Sequence, residues 1–152
     1  TGVWGLNDVP SMYPGKHFDK LFAADTLTPS ALQVMRASGA DIVSIQPYAT
    51  ERFPAEEIRI KFGSTYYMAS AAFAVAYAIY HNYEKIRLYG CDHNVHSEYL
   101  RGKGSVEYWL GRAQERGIIV EIQPESHLLK SIRSIKLNIF KPAPQASAGH
   151  SP

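Results

Sequence analysis

Asn7 and Asp8, Asp25, Gln46, the Asp92-His93-Asn94 cluster and Gln123 each stand just after a short run of apolar and β-branched residues. In open α/β sheets ligands bind beyond the carboxyl ends of the strands, where loops and helix N-termini converge. These polar residues are therefore the candidates for ligand contact. They also have a plainer use, because Asn and Asp after a strand make turns. The Gly63-Ser64-Thr65 turn precedes a long apolar segment. Its backbone N–H groups and two hydroxyls suit an anion at the positive end of a helix dipole, or they simply cap that helix. Asp92, His93 and His96 match no metal-ligand spacing, so no metal is expected. A histidine here is better read as a general base, since imidazole titrates near neutral pH. Tyr48, Tyr66 and Tyr67 have the rings to stack on a base or sugar, or the half-buried character tyrosine often has.

These residues need a scaffold, and the chain supplies one by alternating short β-type runs with helical ones, the pattern of a parallel sheet covered by helices. Strands are predicted over 2–6, 20–24, 41–45, 85–89 and 118–122. Helices are predicted over 29–38, opened by Thr28 and closed by Gly39, over 64–81, and over 106–116, closed by Gly117. The 64–81 segment is apolar or small nearly all round, which predicts a central helix covered on most sides. The longest apolar stretch, Tyr66 to Tyr80, is shorter than the roughly 20 residues a bilayer span requires, so no membrane span is expected. The 106–116 segment carries Val106, Trp109, Leu110 and Ala113 on one stripe, with Glu107, Arg112, Gln114 and Glu115 outside it.

The 152 residues suit one domain, and 45% hydrophobic against 20% charged residues is the balance of a globular protein. A formal net charge of +2 points to neither a nucleic acid nor a membrane as partner. The lone Cys91 excludes an intrachain disulfide and fits a reducing compartment, so a cytoplasmic location is expected. No signal peptide is evident. The stretch from Lys141 onward is rich in Pro, Ala and Ser and reads as a flexible tail, leaving 1–140 as the domain.

The segment Phe62-Gly-Ser-Thr-Tyr-Tyr-Met-Ala-Ser-Ala-Ala-Phe-Ala-Val-Ala-Tyr-Ala-Ile-Tyr-His-Asn-Tyr-Glu-Lys-Ile-Arg-Leu-Tyr-Gly-Cys-Asp92 resembles the bacterial CMP-sialic acid dependent sialyltransferases and the related motility accessory factor proteins. In that family a Gly-Ser type turn enters an alanine-rich helix, followed by a strand and Gly-x-Asp; Gly63, Ser64, Thr65, Gly90 and Asp92 fill those places. Val3-Trp-Gly-Leu-Asn-Asp8 is similar to the family's second strand, which implies nucleotide contact by Asn7. Residues 118–129 resemble its closing strand and Pro-x-Ser-x-Leu segment. Trp-Gly-Leu-Asn together with Glu107-Tyr108-Trp109 is similar to phage and prophage proteins that carry no assigned activity.

The resemblance implies a three-layer Rossmann-like α/β fold with a mostly parallel sheet of about five strands. It implies a glycosyltransferase-like domain that binds CMP or a CMP-sugar through Asn7, Asp8, Asp25, Gly63, Ser64, Thr65, Gly90 and Asp92. Phosphate charge would be met by hydroxyls, a helix N-terminus and Lys61 or Lys103. The chain departs from the family pattern at two places. The family's first strand and phosphate-cradling loop have no counterpart here, and the position of its catalytic histidine holds Arg101-Gly-Lys-Gly104, leaving His96, out of register, as the nearest base. Without the first strand, a bare sheet edge is expected to favour a homo-oligomer. The alternative to a transferase is a non-catalytic nucleotide-binding or assembly module of phage or prophage type.

Overall fold

The computed structural model describes residues 2–91 and 100–130, with Leu100 described by its backbone alone. The predicted tail, 141–152, lies outside them. Among the described residues the order is β1 (Trp4–Leu6), β2 (Lys20–Phe22), α1 (Pro29–Ala37), β3 (Asp41–Ser44), β4 (Glu51–Arg52), α2 (Ala55–Phe62), α3 (Ser70–Tyr80), β5 (Lys85–Leu88), α4 (Leu100–Glu115) and β6 (Ile119–Ile122). The protein is α/β, and every pairing among the described strands is parallel, as the alternation predicts.

The strands form two sheets, a four-stranded one in the order β1-β2-β3-β4 and a β5-β6 pair, where the sequence predicts a single sheet of five. Two elements were not expected. β4 is two residues long, too short for any alternation to show. α2 buries only Ile58 and Phe62 and turns Ile60 outward, so its apolar stripe is thin.

Successive residues of a strand face opposite sides of the sheet, and that alternation sorts the core into two layers. Leu21, Ala23 and Ile42 pack with Met35 of α1 on one face. Phe22 and Val43 pack on the other face with α2, α3 and α4. Ile86, Leu88, Val120 and Ile122 of the β5-β6 pair join this second layer, as do Trp4 and Leu6 of β1. The two sheets therefore share one core.

The predicted central helix is central, with nine of its eleven residues buried. It starts at Ser70, though, and not at Ser64. Residues 64–69 run in an irregular path pinned to α4: the Met68 N–H donates to Ser105 Oγ at 3.1 Å, the Trp109 indole N–H donates to the Tyr66 carbonyl at 2.9 Å, and the Tyr67 and Trp109 rings stack 5.5 Å apart. Those tertiary contacts outweigh the helical tendency of the segment. α4 in turn starts six residues earlier than predicted and buries the expected Val106, Trp109, Leu110 and Ala113.

Candidate functional site at the strand ends

β1 ends at Asn7, whose φ of 51° is left-handed, a conformation that Asn tolerates better than most residues. The turn lets its N–H donate to the Phe22 carbonyl at 2.9 Å and carries its carboxamide over the end of β2. There Asn7 Oδ1 accepts from the Ser70 hydroxyl at 3.0 Å, and Ser70 Oγ accepts from the Ala24 N–H at 3.2 Å. Ser70 is buried and opens α3. One hydroxyl thus ties the first turn of α3 to the carboxyl ends of both β1 and β2.

The neighbouring strand end is built similarly. Buried Ser44, closing β3, donates to the Ala23 carbonyl at 2.7 Å and accepts from the Gln46 N–H at 3.1 Å. The Tyr48 hydroxyl donates to the Asp25 carbonyl at 2.5 Å. Asp25 itself is exposed, and no described group bonds its carboxylate. Asp8 leads a short 3-10 turn, its carbonyl accepting from the Ser11 N–H at 2.8 Å, with no side-chain cap. Asn7, Asp25, Gln46 and Tyr48 are therefore gathered at one end of the sheet, with Ser70 among them. α3 begins there without a capping side chain, because its N-cap residue is Ala69. Its first N–H groups carry the positive end of the helix dipole.

The Gly63-Ser64-Thr65 turn has a different place from the one predicted. Gly63 is the left-handed C-cap of α2, φ 68°, and donates to the Arg59 carbonyl at 2.8 Å. These residues stand at the negative end of α2 and not at the entry of the long helix, since six residues of irregular chain precede Ser70. Ser64 Oγ accepts from the Tyr66 N–H at 3.2 Å and bonds the Tyr108 hydroxyl; that contact, with the Arg112 guanidinium 2.5 Å away, holds the phenol below its ordinary range. Gly90 closes β5 with φ 69°, donating to Gln123 Oε1 at 3.0 Å, so Gln123 acts as a clasp between the ends of β5 and β6. Asp92, His93, Asn94 and His96 lie outside the described residues. The two lysines considered for phosphate charge are otherwise engaged: Lys103 lies 3.5 Å from Glu107, and Lys61 lies against the Phe62 and Tyr80 rings.

Groups shifted from their ordinary titration range cluster at the opposite, amino end of the strands. Glu51 accepts from both the Lys20 ammonium and the Tyr77 hydroxyl, and the His81 ring lies 4.1 Å from that of Tyr77. Burial alone would raise the Glu51 carboxyl, but the two hydrogen bonds prevail and hold it below the ordinary carboxylate range. Burial first, then the bond to Glu51, pushes the Tyr77 phenol far above its usual value, and burial lowers His81. This network fastens the last turn of α3 to β2 and β4. Nothing in the spacing of residues 20, 51, 77 and 81 announces it.

No described helix is long and apolar enough to cross a membrane. The chain matches no protein-family model, no curated protein and no solved structure. Fold and site alone define its class: a parallel α/β domain whose polar strand ends meet the N-terminus of a buried helix that no side chain caps.

Proposed function

We propose that this chain is a Rossmann-like, sialyltransferase-like domain that binds a cytidine nucleotide or CMP-sugar in the crevice at the ends of β1, β2 and β3. The observation that carries the reading is the convergence of Asn7, Ser70 and Ala24 at the uncapped start of α3. An anionic phosphate is favoured at such an end, where backbone N–H groups and the dipole act together. The anion position moves accordingly from Gly63, Ser64 and Thr65 to Ala69 and Ser70. Asn7 Oδ1 is spent on Ser70, which leaves its amide N–H groups for the ligand, and the exposed Asp25 carboxylate suits sugar hydroxyls. In the transfer, an acceptor hydroxyl attacks the anomeric carbon, the bond from that carbon to the phosphate oxygen breaks, and CMP departs with the electron pair. His96 is the residue assigned to take the hydroxyl proton, and the α3 N-terminus stabilises the departing phosphate.

Calorimetric titration with CMP, with UMP and AMP as controls, tests this. CMP binding is expected to be selective and to weaken about tenfold or more in Asn7→Gly, from the loss of one hydrogen bond to a charged ligand. Glycine keeps the left-handed turn and removes only the carboxamide, so thermal melting should report a folded variant. Absence of binding by all three nucleotides would overturn the reading. A second reading, a non-catalytic assembly module of phage or prophage type, is favoured by the edges of β1 and β5, which pair with no further strand among the described residues; it predicts no nucleotide binding and a defined oligomer.

A further inference from the structure

Three positive side chains gather on one buried ring. Lys61 Nζ lies 5.4 Å from the Phe62 ring centroid, Arg112 Cζ 5.8 Å and Arg116 Cζ 4.8 Å. Lys61 and Arg112 stand in the last turns of α2 and α4, and Arg116 follows α4 directly. A cation at a helix C-terminus is ordinary, because the dipole is negative there, and Arg116 Nη1 donates to the Arg112 carbonyl at 3.2 Å. That accounts for one charge at each helix end. It does not account for three like charges on one ring with so little acid beside them. Among the described residues the only carboxylate in ion-pairing reach of the three is Glu115, 3.6 Å from Arg116 and itself 76% exposed.

Arg112 also has donors to spare. Its guanidinium lies against the Phe62, Tyr108 and Trp109 rings, and Nη1 donates to the Tyr108 hydroxyl at 2.5 Å. Its Nε is buried without a partner among the described residues. The rings and the phenol fix the plane of the fork, and a fixed guanidinium fork is matched to the oxygens of an oxyanion. Arg116 can be reached from outside: it lines an open groove of about 560 Å³ together with Asn82, Tyr83 and Ile118. We propose that Arg112 and Arg116 bind a phosphate group, with the Lys61 charge and the Tyr108 phenol beside it, and that the groove takes the remainder of a phosphate ester. A phosphate dianion balances two guanidinium groups and has oxygens for both forks, whereas a carboxylate brings one charge and two oxygens. Arg116 leads through Gly117 into the amino end of β6, so this site is separate from the crevice at the strands' carboxyl ends and does not rest on the reading of that crevice.

Calorimetric titration of the 152-residue chain with inorganic phosphate and with glycerol phosphate, against acetate at matched ionic strength, tests this. Both phosphates are expected to bind saturably, the ester more tightly, and acetate not to bind. Arg112→Gln and Arg116→Gln are each expected to weaken phosphate about tenfold or more, the loss of hydrogen bonds between charged groups, while Asn7→Gly leaves it unchanged. The arginine Nε–H signals in NMR spectra of the unmutated chain check the same point and need no variant to fold: those of Arg112 and Arg116 should shift saturably as phosphate is added. Equal affinity for the free ion and the ester would keep the phosphate site and overturn the role of the groove. Absence of saturable phosphate binding overturns the whole proposal. So does binding that survives both arginine substitutions, or acetate binding as tightly as phosphate, which would mark a general anion-attracting surface.

Discussion

Asn7 and Ser70 form the joint on which the candidate site rests, and the two differ in how visibly they are written. Asn7 stands after a strand, where either a turn or a ligand contact is expected, and it makes the turn while its Oδ1 accepts from Ser70. Ser70 is one serine in an alanine-rich run, and only the approach of α3 to the ends of β1 and β2 gives its hydroxyl two partners. Glu51 is a comparable case with a measurable consequence. Its carboxyl is depressed below 4.5 by Lys20 and Tyr77; a carboxylate depressed in the folded state adds stability that is present above its unfolded pKa and lost as pH falls through the folded one. Glu51→Gln is therefore expected to be less stable than the parent by about 1 kcal/mol at neutral pH, the scale of a partly exposed ion pair. The difference should shrink as pH falls below 4.5. Urea denaturation at a series of pH values checks this, and a difference that stays constant into acid would exclude the carboxylate as its source.

Among the elements, β1 is closely packed at its middle residue. Gly5 sits where an added Cβ would lie 2.5 Å from Val9 Cγ1 and 2.7 Å from Leu21 Cδ2. Gly5→Ala is expected to cost about 1–3 kcal/mol as an overpacked site, visible as a lower melting temperature; a melt at or above the parent's would mean that Val9 and Leu21 yield freely. All the strands but β4, and α1, were legible to within a residue or two, because β-branched runs, Thr28 and Gly39 mark them locally. α3 was legible as an element but not at its start. Met68, Ala69 and the residues before them read as helix, and it takes Ser105 and Trp109 of α4, some 37 to 43 positions away, to hold them out of it. The expected place of Gly63, Ser64 and Thr65 at the entry of that helix was missed for the same reason.

For the whole molecule, the shared core makes the two sheets one cooperative unit. Trp109 is fully buried among Phe62, Tyr67 and Tyr108, and Trp109→Ala is expected to lose about 3–5 kcal/mol. Trp4 is then the sole tryptophan and reports on β1 by fluorescence, while circular dichroism reports on the helices. One coincident transition is expected, and two separated ones would show that the sheets unfold independently. By itself the sequence determined the α/β class, the parallel alternation, the buried central helix and the covering stripe of Val106, Trp109, Leu110 and Ala113. These follow from periods of 2 and 3.6 and from capping residues, all written within a dozen neighbouring positions. The tertiary structure alone decided that the described strands fall into a four-stranded sheet and a β5-β6 pair, that α3 opens at Ser70 and that Lys20, Glu51 and Tyr77 share a network. Each depends on groups far apart in the chain competing for the same hydrogen bonds and the same volume, and local pattern carries no record of that competition.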